Sequence, residues 1–286
     1  MINLAQKTIN NSISCNSIGL HTGCNVNMTL KPAEIDSGII FKRIDLPDSQ
    51  NIIKAEFKNV TTTNLGTTIA NEFGASVSTV EHLMAAIWGC GIDNLIIEID
   101  NIEVPIMDGS SEPFVFLIEC AGIHHQTVNR KIIEILENIR VEDNDKFIEA
   151  NPANDFILDI SVDFNHPLIT QKNLNYHSTS HSFKNDICRA RTFCFKNEIE
   201  TMHKMGLAKG GSLDNAIVVD IDKILNNEKL RYPDEFIRHK TLDFIGDLFL
   251  AGHFIVGHFR ANKVGHTLNN KFLHYLFNNP QKWRLV

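Results

Sequence analysis

The chain has no CxxC pair, no long apolar run and no basic stripe, and each gap excludes a class of protein. Its six cysteines, Cys15, Cys24, Cys90, Cys120, Cys188 and Cys194, are scattered along 286 residues. They read as reduced, mostly buried thiols of a cytoplasmic protein. A zinc site built from cysteines is not expected, so any metal must be held by histidines and carboxylates. No stretch approaches the roughly 18 uninterrupted apolar residues of a membrane-spanning helix. Met1 to Asn10 lack a charged segment followed by an apolar core, so no secretory signal is expected. A formal net charge of -7 without a basic run argues against a nucleic-acid partner. No short-period repeat or low-complexity tract occurs.

What is present suits a packed protein of one large domain or two ordinary ones. Hydrophobic residues make up 43% of the chain and charged residues 21%, enough for a core and too little charge for global disorder. Alternation predicts strands near 26–30, 39–43, 52–60 and 95–99. Ser78 and Glu81 have the spacing of a capping box that opens a helix through Trp88, stopped at Gly89-Cys90-Gly91. A second helix is expected over Pro113–Ala121, ended by Gly122. The polar stretch 124–130 reads as a linker. Beyond it come strands at 132–139, 147–151 and 156–164, a helix over Asp234–Leu250, a strand at 254–259 and a final helix over Asn269–Phe277. The two halves resemble each other weakly: Glu81-His82…Gly91 and Asp243-Phe244…Gly252 each precede an apolar strand. This points to a duplicated α+β unit, with each copy donating a metal ligand from its helix.

The segment His239-Lys240-Thr241-Leu242-Asp243-Phe244-Ile245-Gly246-Asp247 carries the strongest chemical signal. His239, Asp243 and Asp247 fall at i, i+4 and i+8, within roughly 80° of one another on a helix, and Lys240 widens the arc to roughly 100°. Leu242, Ile245, Leu248 and Phe249 point to the other side. An imidazole and a carboxylate one turn apart are half of a zinc site, and His82 is the candidate for the third ligand. Two histidines and one aspartate with an open fourth position match a catalytic zinc. Glu81 would then be a general base; as a capping residue it would instead bond a backbone N–H. A solvated face of i,i+4 ion pairs is the other reading of Arg238, His239 and Lys240 beside two aspartates. His266 follows Gly265 at a turn that could aim it into a cleft, with Asp247 as an orienting partner. Arg191-Thr192-Phe193 and Lys209-Gly210-Gly211-Ser212 flank apolar residues that line a groove or belong to the core.

Six motifs in order carry a resemblance: Thr79-Val80-Glu81-His82-Leu83, Gly91-Ile92-Asp93-Asn94, Val104 to Ser110, Arg189 to Phe193, Arg238-His239-Lys240…Asp243…Gly246-Asp247-Leu248, and Gly265-His266-x-Leu268-Asn269-Asn270. With these the chain closely resembles the UDP-3-O-acyl-N-acetylglucosamine deacetylase family, zinc amidases of lipid A synthesis in Gram-negative bacteria. The resemblance runs from Gly19-Leu20-His21-Thr22-Gly23 nearly to the C-terminus. It implies an α+β fold of two similar domains of the ribosomal protein S5 domain 2-like type, each a β-sheet layered on helices, with the active site between them. The expected domains are 1–127 and 128–286. Each would carry an insert: a small β region near 97–108, and a segment near 194–220 forming a passage for the substrate's acyl chain.

By the same resemblance one zinc ion is held by His82, His239 and Asp243. Glu81 is implied as the general base on the attacking water, and Thr192 as a donor to the oxyanion. His266, held protonated by Asp247, would protonate the departing amine. Lys240 would assist electrostatically or contact the substrate, and Phe193 would pack on the sugar. Ile199, Met202, Gly211, Leu213 and Val218 would contact the acyl chain. Cys194 stands where the family usually has glycine, and Lys209 where it is usually apolar; both are expected to border the passage. A cytoplasmic monomer acting on the UDP-sugar is expected. The readings set against it are an amidase for another acetylated sugar and a non-catalytic sugar-nucleotide or metal-binding module.

Overall fold

Apolar and polar residues alternate along most strands, and the alternation shows directly in their burial. A computed structural model describes residues 5–178 and 183–286. In chain order the first half forms β1 (Ala5–Ile9), β2 (Ile13–Ile18), β3 (Asn25–Pro32), β4 (Ile39–Arg43), β5 (Ile52–Lys54), β6 (Val60–Thr62), β7 (Thr68–Ala70), β8 (Ser76–Val77), α1 (Glu81–Cys90), β9 (Leu95–Ile99), α2 (Glu112–Ala121) and β10 (Ile123–Asn129). The second forms β11 (Ile132–Ile135), β12 (Ile139–Asp143), β13 (Lys146–Asn151), β14 (Phe156–Ser161), β15 (Asn173–His177), β16 (Phe193–Phe195), α3 (Lys196–Lys204), β17 (Ile217–Val219), α4 (Glu235–Phe249), β18 (Phe254–Asn262), α5 (His266–Phe277) and β19 (Trp283–Leu285).

The result is a mixed α+β architecture with several sheets and few helices. A five-stranded sheet runs β2-β3-β9-β4-β5, antiparallel except for the parallel pair β4–β9. A seven-stranded sheet is built around β18, which pairs antiparallel with β13 and parallel with β14 and β11. In both sheets the exposed face is polar and the inner face supplies core residues such as Phe41, Ile97, Ile148 and Phe259, the pattern expected where one face meets helices. α1 packs on α4, α2 on α1 and α5 on α4. One continuous apolar core joins both sheets to these helices; it includes Leu83, Met84, Phe244 and Phe272, none of them exposed. Truncating such a side chain to alanine costs about 2–5 kcal/mol.

The crossing of α1 and α4 depends on Gly246. A Cβ there would lie 2.1 Å from the Glu81 carbonyl oxygen, so the two backbones touch where the chemistry-bearing residues begin. Burial covers all of α4 except Arg238 and Lys240, which are half-buried, so its polar face is not a solvated one.

Several sequence expectations need correction. The Ser78–Glu81 capping box does not form: the Ser78 N–H donates to Ile102 O, and Val80, not Ser78, precedes the helix. Residues 124–130 are not a linker, since β10 pairs antiparallel with β1 through Ile123↔Ile9 and His125↔Lys7. Their polarity reflects the exposure of β10, whose partner β1 is largely buried. The small β region is not at 97–108, where β9 ends in the main sheet. A separate three-stranded sheet, β6-β7-β8, lies at Val60–Val77. The strand expected over 52–60 is broken by a helical turn at Phe57–Asn59, and that over 132–139 divides into β11 and the start of β12. β14 stops at Ser161, leaving Phe164 on a loop, and the last helix begins at His266, three residues before Asn269.

Candidate metal centre and its cavities

α1 and α4 bring three side chains to one point. His82 comes from the first turn of α1, and His239 and Asp243 from adjacent turns of α4. One potential ligand atom from each lies within 4.8 Å of the others, and all three residues are buried. Asp243 Oδ1 is 3.4 Å from His239 Nε2 and 3.6 Å from His82 Nε2. The two imidazoles meet edge to face at 4.9 Å between centroids. His239 Nδ1–H donates to Ala190 O at 3.1 Å, which leaves the Nε2 lone pair facing the cluster. Burial keeps both histidines neutral: it pushes His82 down to about 3, helped by the neighbouring His239, and it lowers His239 despite the pull of Asp243.

Asp243 is the opposite case. Burial disfavours its charge, but the cationic Lys240 in direct contact outweighs that and holds it well below the usual carboxylate range. Lys240 Nζ donates to Asp243 Oδ2 at 2.6 Å. The other oxygen, Oδ1, is buried without a hydrogen-bond partner among the described residues. Buried carboxylate oxygens are rarely left so. Two neutral imidazoles and an orphaned anionic oxygen converging on one point are a donor set that fits a divalent cation such as zinc.

Beside the cluster sits an acid–base pair. Glu81 is buried and accepts Thr67 N–H at 3.0 Å. Burial raises its pKa to about 7, against the pull of His266 and with the push of Asp247 and Asp243. His266, the first residue of α5, lies 3.9 Å from Glu81 through Nε2. Its Nδ1–H donates to Asp247 Oδ2 at 2.8 Å. Burial opposes charge on this imidazole, yet Asp247 and Glu81 outweigh it and raise His266 to about 9. Asp247 itself is fixed by Thr67 Oγ1–H at 2.6 Å and Asn269 Nδ2–H at 2.7 Å.

Two cavities meet here. The first, about 560 Å³, is lined by Glu81, His82, His239, Lys240, Asp243, His266 and Thr192, and also by Lys146, Lys263 and Phe164. The second, about 430 Å³, is walled mainly by apolar groups, including Phe193, Ile199, Met202, Leu213 and Val218, together with Gly211. Leu65, Thr192, Phe193, Cys194 and Glu198 border both. The parallel pair β16–β17, with α3 between them, shapes the second cavity. Phe193 is held edge-on against Phe236 at 5.0 Å and near His239 at 6.1 Å.

Of the residues expected from the sequence, Glu81, His82, His239, Lys240, Asp243 and His266 line the first cavity, Ile199, Met202, Gly211, Leu213 and Val218 the second, and Thr192 and Phe193 both, while Asp247 lies one layer behind His266. Cys194 lies on the shared border, whereas Lys209 does not line the apolar cavity: it is exposed, and its backbone N–H donates to His21 O. The sequence reading missed Thr67, Lys146, Lys263, Phe164 and Leu65. Asn269 and Lys263 lay inside or next to a quoted motif but had no assigned role. Thr67 gave no signal, because its bonds to Glu81 and Asp247 reach residues 14 and 180 positions away.

A buried carboxylate, an imidazole favoured as its cation and a metal-ready cluster at the end of an apolar cavity are groups of the kind that metal-assisted hydrolysis uses. Residues 6–278 match the LpxC family, described as UDP-3-O-acyl N-acetylglycosamine deacetylase. Curated proteins named UDP-3-O-acyl-N-acetylglucosamine deacetylase are similar over 285 residues, 99% of this chain and 93% of each relative. That of Idiomarina loihiensis is 48% identical, and those of Mannheimia succiniciproducens and Haemophilus influenzae are 47% identical. The chain belongs to the UDP-3-O-acyl N-acetylglycosamine deacetylase family.

Proposed function

We propose that this chain is a zinc-dependent hydrolase that removes the N-acetyl group of UDP-3-O-acyl-N-acetylglucosamine, giving acetate and the free amine, a step of lipid A biosynthesis. One observation carries the reading: His82, His239 and Asp243 meet beside Glu81 and His266 where a polar cavity joins an apolar one. The apolar cavity favours an acyl-bearing substrate over another acetylated sugar.

His82, His239 and Asp243 would hold the zinc. Bound there, the ion would supply Lewis acidity, acidifying a water and polarising the amide carbonyl. Glu81 takes the proton of the attacking water; with a pKa of about 7 it is a usable base near neutrality. The water oxygen bonds to the acetyl carbon, and the Thr192 hydroxyl donates toward the oxygen that gains charge. His266, still cationic near neutrality, gives its proton to the amide nitrogen as the C–N bond breaks. Lys240 keeps Asp243 anionic. Phe193 packs against the sugar, and Lys146 and Lys263 meet the diphosphate. Ile199, Met202, Gly211, Leu213 and Val218 wall the space for the acyl chain.

We take 1–127 and 128–286 as two similar units, because each has a sheet, a helix that bears site residues and an apolar strand directly after that helix: α1 then β9, α4 then β18. The insert of the first is β6-β7-β8, and that of the second is β16-α3-β17. No helix among the described residues is long and apolar enough to cross a membrane. All six cysteines are free, which suits the cytoplasm. One chain supplies every group of the site, so we assign a monomer.

The test is Glu81→Gln. Zinc content should stay at the wild-type level while acetate release falls by about a hundredfold or more, within the range that a general base contributes. Wild-type turnover in the variant would remove Glu81 from the chemistry. Absence of turnover in zinc-loaded wild-type protein would overturn the substrate assignment.

A further inference from the structure

Glu103 is fully buried, yet no cation pairs with it among the described residues and the proposed chemistry does not use it. A buried carboxylate is tolerated only when hydrogen bonds replace its water. Here four donors do so. His21 N–H and Thr79 Oγ1–H reach Oε1 at 2.8 and 3.1 Å. Thr22 N–H and Thr22 Oγ1–H reach Oε2 at 2.8 and 2.7 Å. Gly19 is part of the same cradle, because a Cβ there would lie 2.3 Å from Glu103 Oε2.

The loop so held is a wall of the apolar cavity. Leu20 and His21 line it, and the loop in turn holds the opposite segment: Gly210 N–H donates to Leu20 O at 3.0 Å, and Lys209 N–H to His21 O at 3.2 Å. The carboxylate therefore ties the first half of the chain to the α3–β17 loop of the second insert through the backbone that shapes the cavity. Resting on the deacetylase reading, we propose that Glu103 is a positioning residue for acyl-chain selection: its carboxylate fixes the Leu20–Thr22 wall of the passage without touching substrate.

The geometry makes Glu103→Gln a sharp test. An amide has one acceptor oxygen, so its NH2 must face either His21 N–H and Thr79 or the two Thr22 donors. The wall then loses its anchor on one side. Thr22→Val removes a single donor and leaves the carboxylate, giving a milder variant in case the first does not fold. The measurement compares kcat/KM for UDP-3-O-acyl-N-acetylglucosamine carrying a long acyl chain with that for UDP-N-acetylglucosamine lacking it, alongside zinc content. Glu103→Gln should lower the long-to-none ratio by about tenfold or more, mainly through KM, as expected when groups that bind a remote part of the substrate are displaced. Thr22→Val should move it in the same direction by less, and zinc content should hold. An unchanged ratio in both variants overturns the proposal. So does an equal loss on both substrates, which would place the effect on Glu81 through Thr79. Wild-type protein that fails to prefer the acylated substrate would instead overturn the deacetylase reading of the passage.

Discussion

Asp247 holds His266 from behind. The imidazole Nδ1–H donates to Asp247 Oδ2 at 2.8 Å, and the opposite nitrogen faces Glu81 at 3.9 Å. Asp247 thus sets the orientation of the imidazole that faces Glu81 and contributes most to holding its charge.

The pairing fixes a pH dependence. Burial disfavours the imidazolium, but Asp247 and Glu81 raise His266 to about 9, so its charged form survives well above neutrality. Activity that needs this proton is present below that pH and is lost as pH rises through it. Asp247→Asn removes the anion that outweighs burial. The descending limb of the pH profile of kcat/KM should move to lower pH, with zinc content unchanged. A limb that stays in place would exclude His266 as the titrating acid.

Asp243→Ala should strip the metal. The variant loses an anionic oxygen that has no hydrogen-bond partner among the described residues and leaves two neutral imidazoles. Zinc affinity should fall by more than the roughly 10- to 100-fold typical of losing an outer-shell partner. Metal content after dialysis against a mild chelator reads this directly. Full occupancy would refute the ligand assignment.

Gly246→Ala should injure the site from outside it. The added Cβ would press on the Glu81 carbonyl oxygen at 2.1 Å, forcing α1 and α4 apart. Overpacking of this kind costs about 1–3 kcal/mol or more. Thermal unfolding should come at lower temperature, and zinc should bind more weakly because its ligands lie on the two separated helices. Wild-type stability and affinity would mean that the helices adjust freely.

Met202→Trp should fill part of the 430 Å³ apolar cavity. Each methylene that loses burial forfeits about 0.8 kcal/mol, so excluding two or three costs roughly 10- to 100-fold in kcat/KM on a long-chain substrate. Turnover of a substrate without the chain should change little. Equal effects on both would place Met202 outside the acyl path.

Parts of this site were legible in the sequence and parts were not, for physical reasons. The α4 residues were legible because i, i+4 and i+8 spacing is itself a statement about geometry. His82 became legible only when paired with that helix. Ile199, Met202 and Leu213 needed the family resemblance, since apolar residues at such spacing look the same in a core and in a cavity wall. Ser78 and Glu81 misled: the local spacing fits a capping box, but Ile102 O, in the bend after β9, takes the Ser78 N–H and the Thr67 N–H takes the carboxylate. Lys146 at the start of β13 and Lys263 and Thr67 on loops reach the site from far apart in the chain, and single-residue patterns carry no trace of that.

Acetate release from UDP-3-O-acyl-N-acetylglucosamine by metal-stripped protein, with and without one equivalent of zinc, tests the central claim most directly. The account predicts negligible turnover without metal and restored turnover with it. Equal turnover in both samples would contradict the role given to His82, His239 and Asp243. No turnover in either, with zinc bound and the fold intact, would contradict the substrate.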